Sequence, residues 1–140
     1  MSENFALNAV PLFDVYLARS TAEGGQVDLA VETLRDVIRR MLSTTNLANL
    51  PLAVAALVET LLKRGGEGDL EEGEAVIERL AATRAGDPWA PRDLTVLRRR
   101  ALLAQARGDE ASYRDFRDRY RDMANDLGFE GHMAWAAAMD

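Results

Sequence analysis

Apolar residues recur along this chain three and four positions apart, the spacing that lays one stripe along an α-helix, and the strict alternation of a half-buried strand is missing. The stripe also repeats. Val31, Leu34, Ile38 and Met41 are spaced 3, 4, 3; Gly73, Val76, Leu80 and Thr83 take the same spacing 42 residues later; Tyr113, Phe116, Tyr120 and Met123 take it after another 40. The same offsets align Leu12, Val54 and Leu94, then Val15, Leu57 and Leu97, on the helix that would precede each stripe. A third set, Arg19, Leu61 and Ala101, agrees only in part.

Breaks in the pattern fall at Gly24-Gly25, at Gly65-Gly66-Glu67-Gly68, at Gly86-Asp87-Pro88 and at Arg107-Gly108-Asp109, where a permissive backbone meets a capping residue or a proline. They predict helices near residues 5–22, 27–44, 49–64, 69–85, 91–107, 110–127 and 130–138. Asp69 and Asp109 are expected as N-caps, and Pro51 and Pro91 belong in first helical turns, where a missing amide costs nothing. A two-helix unit of about 40 residues lies between tetratricopeptide and HEAT-like lengths, and each such unit has an apolar face that it cannot bury alone. The expected fold is all-α. It is one domain over residues 1–140, built as a tetratricopeptide-like α-solenoid of three stacked antiparallel hairpins (about 5–44, 49–85 and 91–127) with a capping helix at about 130–138.

Composition narrows the function classes. With 140 residues the chain is of single-domain size, and with no cysteine it has no disulfide framework, thiolate zinc site or cysteine nucleophile. The longest apolar stretch, Leu47 to Leu62, is interrupted by Asn49, Pro51, Glu59 and Thr60, short of the ~20 apolar residues of a membrane span. Glu3, Pro11 and Asp14 disrupt the places where an export signal needs positive charge and apolar residues, so a cytoplasmic protein is expected. A formal net charge of -6 speaks against duplex nucleic acid as a partner, because phosphate binding draws on clustered Lys and Arg. One lysine, Lys63, stands against sixteen arginines, a bias of coding sequence more than of function.

No constellation of catalytic residues stands out. There is no G-x-x-x-x-G-K-[ST] phosphate loop, and the glycines at 65–68 follow a helix beside Glu67 and Asp69, which suits a hairpin turn and not a phosphate cradle. His132, the only histidine, excludes a two-histidine metal site and leaves a structural or surface role ahead of a catalytic one. The acids from Glu110 to Asp126 alternate with Arg114, Arg117, Arg119 and Arg121, as in a solvated helix face of i,i+4 pairs, and lack the loop pattern of a calcium site. Arg98, Arg99 and Arg100 fan out around a helix at about 100° each, so they read as helix surface with at least one facing an acid, and otherwise as a partner contact. Tyr113, Phe116 and Tyr120 lie on the apolar stripe and are expected in the core. Trp89, between two hairpins, is expected to plug that junction or to stand out as a binding anchor.

The run from Leu97 to Met139, with Gly128-Phe129-Glu130-Gly131-His132 followed by Trp135, resembles the C-terminal end of large actinobacterial signalling proteins. In these, an adenylate or guanylate cyclase domain precedes a signal-transduction ATPase module and a tetratricopeptide-like region. The resemblance implies a regulatory, protein-binding segment of such a protein. None of that family's cyclase metal ligands or its phosphate loop has a counterpart here, so the chain itself is expected to be non-enzymatic, with no cofactor and no metal. The expected function is a helical-repeat interaction module for a protein or peptide, including neighbouring domains of one polypeptide, with Trp89, Arg98, Arg99, Arg100, His132 and Trp135 as candidate contacts. A small-ligand sensor with a pocket between helices is the alternative. The alanine-rich segment Ala134 to Met139 would either cap the array or pair two copies as a homodimer.

Overall fold

The computed structural model describes residues 14–44 and 47–139. Leu12 and the expected start of the first helix near residue 5 lie outside that range. The described residues form helices and connecting turns with no strand. Helix α1 covers 14–23, followed by α2 (Val27–Ser43), α3 (Leu50–Arg64), α4 (Asp69–Ala82), α5 (Ala90–Ala106), α6 (Glu110–Leu127) and α7 (Glu130–Ala137). The all-α class is as the periodicity predicts. The chain divides into two compact units, residues 1–76 and 77–140, and the division falls inside α4.

In the first unit the predicted stripe of α2 is buried at all four positions, Val31, Leu34, Ile38 and Met41. Helix α3 is apolar nearly all round, and ten of its residues from Leu50 to Leu61 are buried, which explains the apolar stretch that is too short for a membrane. No helix among the described residues is long and apolar enough to cross one. Polar bonds at the edge of the core join neighbouring helices: Arg40 Nη2 donates to Asp14 at 2.7 Å, Arg19 pairs with Glu59 at 3.3 Å, and Lys63 Nζ donates to the Ala22 carbonyl at 2.8 Å. Arg35 Nε donates to Glu72 at 2.7 Å and ties α2 to the start of α4.

Asp69 departs from its expected role. Backbone bonds make Gly68 the cap, since its carbonyl accepts from Glu72 N–H, and Asp69 is the first helical residue. Its carboxylate points back, only 4% exposed, accepting from Arg64 Nε at 2.9 Å, from Arg64 Nη2 at 2.6 Å and from Gly66 N–H at 2.9 Å. The paired guanidinium, helped by the Gly66 N–H, holds this carboxyl below its usual range against the opposing effect of burial. The reason for glycine at 66 is close packing: a Cβ there would meet Asp69 Oδ2 at 3.1 Å. Asp109, in contrast, caps α6 as expected by accepting from Ser112 N–H.

In the second unit α5 packs on α6, and α6 packs on α7. One core cluster gathers Leu94, Leu97, Tyr120, Ala124 and Ala136, and a second gathers Ala101, Ala104 and Tyr113; Phe116 and Met139 pack against both. Arg92, buried beside the start of α5, holds the preceding turn. Its Nη1 donates to the Thr83 and Arg84 carbonyls at 2.8 Å each, its Nη2 to the Asp87 carbonyl at 2.7 Å and its Nε to Asp93 at 2.8 Å. Five donors in a rigid fork suit arginine, not lysine, to this task. The turn contains Arg84 at φ 54, a left-handed backbone that costs a non-glycine residue on the order of 1–3 kcal/mol and persists only where its surroundings hold it.

Candidate functional site: a groove along α5 and α6

Residues 83–89 run into α5 through Trp89, whose extended backbone (φ -147, ψ 98) places it at the N-cap position. The Arg84 guanidinium lies 5.0 Å from the indole centroid, within cation–π range. Trp89 is half-buried, so neither extreme of the sequence reading, sealed plug or free anchor, describes it. It is a wall. With Leu97, Met123 and Leu127 it lines an open cleft of about 550 Å³, rimmed by Asp93, Asp122, Asp126 and Arg119. A second cleft of about 330 Å³ shares Asp93, Leu97, Arg119 and Met123 with the first and continues past Val96 to Arg100. The two make one groove.

Helical spacing builds this groove. On α5, Asp93 and Leu97 are one turn apart, as are Met123 and Leu127, and Asp122 and Asp126, on α6. The apolar members of each row sit beside the core and the acidic members stand at the rim, which is the edge of an amphipathic helix face. Leu127 is 45% exposed, so the apolar wall extends to solvent.

The other candidate residues separate into two places. Arg100 pairs with Glu78 at 2.8 Å and stands at the far end of the groove, with its guanidinium 6.0 Å from the Phe116 ring. At least one arginine of the run thus meets an acid, as its sequence predicts. Arg99 is buried, and Arg98 lies 4.7 Å over the Trp135 ring. The three therefore do not form one basic patch, as their fan around α5 dictates.

His132 belongs to the docking of α7. Its Nδ1 lies 2.7 Å from the Tyr120 hydroxyl, and its ring stands edge-on to Trp135 at 5.0 Å between centroids. Burial, and then the charges of Arg98 and Arg99, hold the imidazole below its usual pKa, so it is neutral at pH 7, and in its Nε2–H tautomer Nδ1 accepts the proton of the hydroxyl. Burial raises the Tyr120 pKa, which keeps that proton in place. Gly128, left-handed at φ 70, ends α6, and Phe129 starts α7. The tail pattern Gly128 to His132 and Trp135 is thus a turn, a helix start and a docking contact. Among the described residues no group of three or more acids or histidines is placed to hold a metal ion.

Sequence reasoning missed Arg92, Tyr120 as a bonding partner, and the acidic rim of the groove. The rim was legible in principle: Asp122 and Asp126 lie one position before Met123 and Leu127, a polar–apolar pairing repeated after one turn. Comparison with protein-family models, with curated proteins and with solved structures finds no significant match. The functional reading therefore stands on the geometry.

Proposed function

We propose that this chain is a non-catalytic helical-repeat module that binds a peptide or protein segment, with the α5–α6 groove as its binding surface. The observation that carries the reading is the groove itself: an apolar floor of Leu97, Met123 and Leu127, an indole wall, and a charged rim, open along its length. Such a surface suits a chain segment that lays large side chains into it, as helix-in-groove recognition does. Trp89 is the expected anchor contact, since tryptophan is enriched among residues that dominate binding energy.

The experiment uses Trp89 as its own reporter. The chain has two tryptophans, so a Trp135→Phe variant leaves Trp89 as the sole indole. Peptides selected by display against the intact chain are expected to shift Trp89 emission saturably, and Met123→Glu should abolish the shift. Failure to recover any peptide with groove-dependent binding overturns the reading.

The clefts, at about 550 and 330 Å³, also fall in the size range of small-molecule sites, and this volume favours a ligand sensor as the second reading. A metabolite screen that raised the melting temperature of wild type but not of Met123→Glu would support it over a peptide. The resemblance of the C-terminal run supports a further part of the proposal: the module works within a larger cytoplasmic signalling protein of the cyclase and ATPase type and binds one of its neighbouring domains. An immunoblot of source cells tests this. A band far above 15.4 kDa is expected, and one near 15.4 kDa would contradict it.

A further inference from the structure

Helix α7 is held to the rest of its unit by few contacts, and several of them meet at His132. It has eight residues, of which only Ala136 is buried, and an isolated helix shorter than about 12 residues is marginal in water. Docking therefore sustains it. Met133 and Ala136 pack on the cluster of Leu94, Leu97, Tyr120 and Ala124. His132 accepts from the Tyr120 hydroxyl at 2.7 Å, and its ring lies 6.3 Å from Phe129 and 5.0 Å from Trp135, over which Arg98 is placed at 4.7 Å. The joint before α7 is closed without it: Phe129 N–H donates to the Ala124 carbonyl and Gly128 N–H to that of Asn125, so α6 keeps its end when α7 leaves. Helices α5 and α6 also keep the cluster of Ala101, Ala104 and Tyr113 between them.

We propose that α7 is a latch released by acid: protonation of His132 detaches the helix while α5 and α6 stay packed. The hydrogen bond alone would survive protonation, since Nδ1–H can then donate to the hydroxyl oxygen. The charge is what the site does not accommodate. On α5, Arg98 forms no ion pair with any described residue and its Nε is buried without a hydrogen-bond partner, and Arg99 follows it in the same turn. Both guanidiniums act on the imidazole. Helix α6 faces it with Tyr120, a neutral phenol, while Asp122 and Asp126 line the groove. On α7 itself Glu130 stands two positions earlier, a spacing at which helical side chains do not face each other. An imidazolium here is half-buried beside two like charges. The docked ring has the lower pKa, so the latch is closed above the free value of ~6.5. As pH falls below that value the open fraction rises by up to about tenfold per pH unit, until the docked ring titrates as well.

The test uses the intact chain with Trp89→Phe, in which Trp135 on α7 is the sole indole. Between about pH 7.5 and about pH 5 its emission is expected to shift to the red and its quenching by acrylamide to increase, while far-UV circular dichroism loses at most the signal of α7. Over the same range amide exchange at residues 130–137, corrected for its intrinsic pH dependence, should quicken by up to about tenfold per pH unit while residues 110–127 keep their protection. His132→Gln has no site for the proton and should abolish the response. Arg98→Gln removes one repelling charge and should weaken it, which decides the outcome where His132→Gln leaves α7 open at every pH. A response that persists in His132→Gln, is unchanged in Arg98→Gln, or unfolds α6 together with α7 would overturn the proposal, as would no response at all.

Discussion

Tyr120→Phe should destabilise the second unit by about 1 kcal/mol, and the geometry fixes why the cost is neither zero nor large. The ring is fully buried and remains so in phenylalanine, so no apolar burial is lost and no cavity opens. Only the hydroxyl goes, and with it the 2.7 Å bond to His132 Nδ1. A neutral hydrogen bond contributes a net ~0.5–1.5 kcal/mol, and the full penalty of an orphaned ring nitrogen does not apply because half-buried His132 still reaches water. For a chain of this length ~1 kcal/mol corresponds to ~3 °C in melting temperature. Tyr120→Ala removes the ring itself and should cost ~3–5 kcal/mol. Both tryptophans, Trp89 and Trp135, lie in the second unit, so urea unfolding followed by indole emission reports that unit. The expected result is a lower midpoint at unchanged m-value for Phe and a much lower one for Ala. A Phe variant as stable as wild type, or one as damaged as Ala, would refute the assigned role of the hydroxyl.

Other outcomes follow from the same geometry. The folded-state pKa of His132 is depressed, so its neutral form fits the fold and its contribution is intact above the unfolded value of ~6.5. As pH falls through the folded value, wild type should lose stability relative to His132→Gln; a difference independent of pH would contradict this. Asp69→Asn weakens the charge-assisted bonds from Arg64 and should cost about 2 kcal/mol near pH 7. Because the folded carboxyl titrates below its unfolded value, the gap from wild type should close only as pH drops below ~4, measured by thermal melts. Arg92→Lys cannot reproduce four bonds from one fork; a loss of ~2–3 kcal/mol and a red shift of Trp89 emission are expected as residues 83–89 loosen.

The parts of the fold visible in sequence were those with a period. All four stripe positions of α2 are buried, Gly73, Val76 and Leu80 are buried on α4, and Tyr113 and Tyr120 are buried on α6, because helical packing repeats every three or four residues. The fan of Arg98, Arg99 and Arg100 was equally readable, since a fixed rotation per residue separates them. Arg92 and Asp69 were not. Their partners are main-chain groups of a turn and a neighbouring guanidinium, and bonds to carbonyls or amides leave no mark in a residue pattern. Asp69 looked like a cap because it follows a glycine, but Gly68 took the cap position and freed its side chain to reach back to Arg64. The Tyr120–His132 bond joins α6 to α7 across twelve residues, a distance at which only the fold brings two side chains together. The groove was hidden for the same reason, since its two walls come from different helices.

The central claim is that the α5–α6 groove is where this chain meets its partner. The most direct test is a backbone amide NMR footprint, on the intact chain, of a peptide selected for Met123-dependent binding. The account predicts that the largest shifts fall at residues 89–100 and 119–127, led by Trp89, Leu97, Met123 and Asp126. Shifts concentrated on α2 and α3 or on α7, or no saturable shift at all, would contradict it.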